Sequence, residues 1–186
     1  MRKAAVILGG GVFAAACTVQ TILPYGSGPP AGTASQVVGA GGGVVTADDG
    51  TTLLIPPMAL MNDVTITINL DPSPPPLTQA RQLAPAHVFG PEGQTFLLPV
   101  CVTLAFEPGL LPAGATEANV VLYATVPDAG GYEPLPTMSA DGMHVTGMTT
   151  QLSETMAAYG DVLEVDAGPD GDTCDGSDID AGEAGM

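Results

Sequence analysis

The residues able to do chemistry in this chain are few and far apart. Two histidines stand at His87 and His144, and no Gly-x-Ser-x-Gly motif accompanies them. A serine hydrolase needs its nucleophile within reach of a base, and nothing in the spacing supplies that pair. His144 alternates with Met143 and Val145 and is expected to face solvent, while His87 is expected to share a face with Phe89. Neither has a Cys or a carboxylate at zinc-ligand spacing, so both read as plain sheet residues. The run from Gly39 to Gly43 lacks the Lys-Ser/Thr and the helix of a phosphate loop, and reads as the start of a strand. A hard cation would suit Asp170, Asp172, Asp175, Asp178 and Asp180, which cluster around Gly176. Calcium takes several carboxylates at alternating positions with a glycine to turn the loop. Here the glycine falls one place late and the closing Glu is missing, so the order is not that of an EF-hand. Calcium therefore stands as an alternative to a merely solvating tail, and no other cofactor is expected.

The three cysteines divide by their surroundings. Arg2 and Lys3 precede an apolar or small run from Ala4 to Ala16, 13 residues long. A helix needs roughly 20 residues to cross a bilayer core, so this run has the length of a signal-peptide core instead. It ends in Ala14-Ala15-Ala16-Cys17, which resembles a bacterial lipobox. That resemblance implies cleavage before Cys17, a thioether from its sulfur to diacylglycerol, and acylation of the freed amine. Ala14 stands where Leu is usual, which leaves ordinary secretory cleavage as the alternative. Thr18, rather than Asp, follows the Cys; by the same resemblance this implies an outer-membrane lipoprotein. Cys101 and Cys174 would then face an oxidising compartment. They are expected either to pair or to remain free, because Cα spacing cannot be read from sequence.

Charge narrows the partners. The chain has 3 Lys and Arg against 20 Asp and Glu, a net charge of −17. Residues 17–186 keep Arg81 as their sole basic side chain. Nucleic acid is excluded as a partner, since its capture needs cations to displace phosphate counterions. The expected partners are the membrane, through the lipid anchor, and an envelope protein or surface ligand that the sequence does not identify.

The elements that would position any site are strands. Gly and Pro occupy 25 and 18 positions, which disfavours long helices and favours a turn-rich β architecture. Residues 1–16 read as signal peptide, 17–35 as lipidated Cys and flexible linker, 36–160 as the folded domain, and 161–186 as an acidic disordered tail. Nine of those last 26 residues are acidic, and large apolar side chains nearly vanish after Val165. Within the domain, Val64 to Leu70 alternates apolar and polar residues. Val100, Val102, Leu104 and Phe106 are set against Cys101, Thr103 and Ala105, and Val120, Leu122, Ala124 and Val126 form a further set at every second position. Shorter candidates are Gly43 to Thr46, Thr51 to Ile55, Ala86 to Phe89, Tyr132 to Leu135, His144 to Thr150 and Met156 to Val162. Turn signals such as Asp48-Asp49-Gly50, Pro91-Glu92-Gly93 and Asp141-Gly142 separate them. This pattern predicts an all-β fold, a single antiparallel β-sandwich. Pro74-Pro75-Pro76 through Gln82 breaks it and is expected to be an exposed crossover loop.

Several motifs, taken in order, resemble the ZU5-type domain, a β-sandwich module shared by ankyrins, netrin receptors and zonula occludens proteins. Gly41-Gly42-Gly43-Val44-Val45 matches its Gly-Gly strand. Leu54-Ile55-Pro56-Pro57-Met58-Ala59-Leu60 matches its Ile-Pro-x-Gly-Ala-Leu turn, with Met58 in place of Gly. Val88-Phe89-Gly90-Pro91-Glu92-Gly93 and Phe96-Leu97-Leu98-Pro99-Val100 match its Gly-Pro-x-Gly and Phe-x-x-Pro-Val pieces. Tyr132 to Pro136 and Gln151-Leu152-Ser153 fit its last strands. If the replaced Gly serves a positive-φ turn, Met58 must carry that conformation or the turn must change. The resemblance implies protein–protein contacts, and hence a non-enzymatic, lipid-anchored envelope protein presenting an interaction module. A calcium-dependent domain binding glycan or matrix is the alternative. Some relatives also cut themselves before the Ser of a His-Phe-Ser step. Here the step is Gln151-Leu152-Ser153, and Gln cannot act as a base near neutral pH, so self-cleavage at Leu152-Ser153 is not expected.

Overall fold

The computed structural model describes residues 32–126, 131–160 and 174. The described residues form β1 (Ala34–Val38), β2 (Gly43–Thr46), β3 (Thr52–Ile55), β4 (Val64–Asp71), β5 (Arg81–Gln82) and β6 (Ala86–Gly90). They continue with β7 (Thr95–Ala105), β8 (Val120–Thr125), β9 (Tyr132–Pro134), β10 (Thr137–Asp141), β11 (His144–Gln151) and β12 (Glu154–Tyr159). One sheet runs β1-β4-β6-β12-β8-β9, with β5 also paired to β12; the other runs β10-β11-β7-β3-β2. All pairings are antiparallel, and the fold is the all-β sandwich that the alternation predicts. The first strand opens at Ala34, two residues inside the stretch read as linker.

Period-two alternation explains which side chains meet between the sheets. Ile66 and Ile68 of β4, Phe89 of β6 and Leu122 of β8 point inward from one sheet. Leu53 and Ile55 of β3, Val100, Val102 and Leu104 of β7, and Val145 of β11 meet them from the other. Each is essentially removed from water, and burial of a side chain this size contributes about 1.5–3 kcal/mol.

The Pro-rich crossover is the exposed loop that its composition suggests, with Leu77 and Ala80 turned partly inward. Val121 and Tyr123 of β8 and Met156 and Ala158 of β12 face away from the inter-sheet core, yet they too are buried. Leu77 and Ala80 of the crossover pack against this second cluster. Gln79 Nε2 donates to the Tyr132 carbonyl at 2.6 Å, and Arg81–Gln82 add a short strand along β12. A strand that is apolar on both faces needs a cover on both, and the crossover supplies the second.

Pro56 to Ala59 form the tight turn that follows β3. The Ala59 N–H donates to the Pro56 carbonyl at 3.2 Å, and Met58 has φ 67. Proline fixes Pro57 near −65°, so positive φ at the third position makes this a type II turn, which favours Gly there. Met58 is the one non-glycine residue with positive φ among those described, so the substituted residue carries the strained conformation itself. Its side chain is 68% exposed and has little packing to lose. The left-handed region costs a side-chain-bearing residue about 1–2 kcal/mol, and glycine returns part of that through its freer unfolded chain. Met58→Gly is expected to raise the unfolding free energy by about 0.5–1 kcal/mol. A denaturant titration reads this directly, and a lowered midpoint would refute it.

Candidate functional site

The β2–β3 hairpin turn is built by its own acidic residues. The Gly50 N–H donates to the Ala47 carbonyl at 3.2 Å, and Ala47 N–H to the Thr51 carbonyl at 2.8 Å. Asp49 Oδ1 accepts the Thr51 backbone N–H at 2.9 Å, closing an Asx turn. Asp48 Oδ1 accepts the Gly32 N–H and ties the start of the domain to this turn. The turn thus aims Asp49 Oδ2 across the end of the sandwich at His87 Nε2, 2.7 Å away. His87 is 2% exposed and Asp49 remains partly open. Thr51 Oγ1 lies 3.2 Å from the same ring nitrogen. Burial raises the Asp49 carboxyl, but the Thr51 N–H, the His87 ring and the Thr51 hydroxyl outweigh it. The group settles below its ordinary value and stays ionised. An ionised Asp49 draws the Nε2 proton into that bond, and Nδ1 is buried with no hydrogen-bond partner among the described residues.

This trio is not a catalytic relay. A Ser-His-Asp arrangement places the carboxylate on one ring nitrogen and the nucleophile on the other. Here Asp49 and Thr51 both face Nε2, and Thr51 is wholly buried. The pair holds a turn rigid and presents a carboxylate.

Asp49 and His87 line a cleft of about 700 Å³ at this end of the sandwich. Leu83, Pro85, Phe106, Leu110, Met143 and Glu107 are among the residues that line it. Backbone bonds fix their segments: Glu107 N–H to the Leu83 carbonyl at 3.0 Å, and Phe106 N–H to the Met143 carbonyl at 2.8 Å. His144 sits nearby, its Nδ1 3.3 Å from Asp141 Oδ1. Its Nε2 lies 3.6 Å from where a Gly50 side chain would begin. Both histidines therefore converge on one turn, although 57 residues of sequence separate them. Their expected roles as separate sheet residues capture the strand positions but miss the pairing of His87 with Asp49. That pairing spans 38 residues with no local pattern to announce it.

The other candidate residues resolve as follows. Cys101 and Cys174 are bonded to each other, with Cα atoms 5.7 Å apart, a span that a disulfide takes without backbone movement. Ser153 is 7% exposed, and its hydroxyl faces the Glu154 carbonyl at 3.5 Å. Gln151 Nε2 is turned to the Gly93 carbonyl at 3.5 Å. Neither contact brings a base to the hydroxyl. Cys17 and the five aspartates Asp170, Asp172, Asp175, Asp178 and Asp180 lie outside the described residues. Among the described residues, no three His, Cys, Asp or Glu side chains converge to hold a metal ion.

No curated protein matches the chain. Residues 34–124, from β1 through most of β8, match the family model of the ZU5 domain. The Gly-Gly strand, the Pro56–Ala59 turn and the Pro91–Gln94 turn all fall inside that span. Over residues 34–124, the sandwich described here is therefore of ZU5 type.

Proposed function

We propose that the protein is a non-enzymatic, lipid-anchored cell-envelope protein that presents its ZU5-type sandwich as a protein-interaction module. The observation that carries the reading is the order of parts. A basic start, a short apolar run and Ala14-Ala15-Ala16-Cys17 precede a sandwich that opens at Ala34. Two or three acyl chains, at about 0.8 kcal/mol per buried methylene, make such an anchor effectively permanent. The Cys101–Cys174 bond supports the same location, because disulfides persist in oxidising compartments and are rare in the cytosol. The geometry at His87 supports a binding role over a catalytic one, since one ring nitrogen serves both neighbours.

Growth in radiolabelled palmitate tests the anchor. The wild-type chain is expected to take up label and sediment with membranes, and Cys17→Ser to lose both properties. An unlabelled wild-type protein in the soluble cell interior, its beginning unprocessed, would refute the reading.

A further inference from the structure

The end cleft combines two properties that seldom meet on an idle surface. Its accessible lining is apolar, from Pro85, Leu110 and Met143 over the buried Leu83 and Phe106, and the carboxylates of Asp49 and Glu107 line it too. No Lys or Arg is among the residues that line it. Elsewhere in the described residues Arg81 is the sole cationic Lys or Arg side chain, so the cleft has no internal counter-charge within the fold to draw on.

We propose that this cleft receives an arginine side chain from a basic partner protein. The proposal rests on the interaction-module reading and names the chemistry of its contact. The Asp49 carboxylate already accepts from the Thr51 N–H, the His87 ring and the Thr51 hydroxyl. Its two oxygens carry about four lone pairs, so one remains for an incoming donor. The existing bonds hold the carboxylate still, and a preorganised acceptor loses little freedom on binding. Glu107 is exposed, with its backbone fixed to Leu83. An arginine has five N–H donors on a planar fork and an aliphatic stem that lies on apolar surface. The stem suits the accessible Pro85, Leu110 and Met143, and the fork suits the carboxylates of Asp49 and Glu107, which both line the cleft. A lysine offers a single, more strongly hydrated charge and matches a pair of carboxylates less well. The acidity of the whole chain adds long-range attraction for a basic partner.

The test uses the full mature chain, isotope-labelled, and N-acetylarginine N-methylamide as probe, followed by NMR to the solubility limit. The citrulline analogue, equal in shape and uncharged, is the control. Backbone signals of Asp49, Gly50, His87, Glu107 and Met143 are expected to move with arginine. Citrulline is expected to bind about ten-fold more weakly or less, as is arginine on Glu107→Gln, in line with loss of a charge-assisted bond. Glu107→Gln changes an exposed side chain and leaves the fold intact; Asp49→Asn serves as the second variant. Unmoved cleft signals, equal binding of citrulline, or shifts scattered over the acidic surface would each overturn the proposal. Crosslinking in intact envelopes separates this from the parent reading. If wild type and Glu107→Gln capture the same partners equally, the cleft is not the docking site, while the interaction module stands.

Discussion

Replacing Cys174 with serine is expected to lower the free energy of unfolding by about 4 kcal/mol. The bond it removes joins residues 73 apart in sequence, and loop-closure entropy in the unfolded chain scales with the logarithm of that separation. Native geometry explains why the variant belongs at Cys174 and not at its partner. Cys101 lies in β7, the middle strand of the five-stranded sheet, opposite Leu54 and Met148. Val100 and Val102 on either side point into the core, so Cys101 points to the outer face, yet it is only 3% exposed. A serine there would also bury a hydroxyl and confuse two effects. Cys174 is partly open, beside Met138, so its replacement mainly removes the crosslink. The chain leaves the seven-stranded sheet at Tyr159 and is fastened to the other sheet at Cys174, so the bond ties the two layers together. Guanidinium titrations of the oxidised mature chain should show the loss, and reductant added to wild type should reproduce it. Equal midpoints for oxidised wild type and the variant would show that the bond contributes nothing.

Strand-to-strand alternation made the centre of the fold legible, and its edges were not. Ile66 and Ile68, or Val100, Val102 and Leu104, announce an inward face because each is large, apolar and spaced by two. β1 has no such signal: of Ala34 to Val38 only Val38 is buried. An edge strand is held by its backbone bonds to β4, which any side chain permits. β10 fails to show for a similar reason, being an edge with bulged pairing to β11. The crossover is exposed, as its prolines suggest, but composition does not show that Leu77 and Ala80 pack against a second cluster. A better signal lay in β8, where Val120 to Ala124 is apolar without alternation, as a strand covered on both faces must be. The cleft was the least legible feature. Asp48-Asp49-Gly50 reads correctly as a turn, but a turn signal does not say what the aspartate will face. Only the pairing of sheets brings it to His87.

Gly42→Ala is expected to destabilise the domain by about 3–5 kcal/mol, and Gly41→Ala to change it by less than about 0.5 kcal/mol. The two glycines are neighbours in one motif, and the structure separates them. Gly42 has φ 73, and a side chain there would begin 2.4 Å from the Ile55 carbonyl oxygen and 2.8 Å from backbone atoms of Pro56 and Pro57. Those are backbone atoms in a strand end and a proline turn, which cannot swing aside as a flexible side chain would. Gly41 would meet nothing within 4 Å. The close approach is itself bonded. Gly42 N–H donates to the Gly39 carbonyl at 3.1 Å to make the turn before β2. Met58 N–H then donates to the Ala40 carbonyl at 2.8 Å, strapping that turn to the Pro56–Ala59 turn. An alanine at 42 must break this strap or bend β3 away from β2, whose register runs from Gly43–Ile55 to Thr46–Thr52. Either route also disturbs Ile55 and Val45, both buried in the core. The Gly-Gly strand and the Ile-Pro turn of the motif are thus two halves of one contact, and the glycine is required by its partner's backbone. Thermal or denaturant unfolding of the two variants side by side decides the matter. If both alanines are tolerated alike, the two turns do not touch as described, and the motif owes its spacing to something other than this approach.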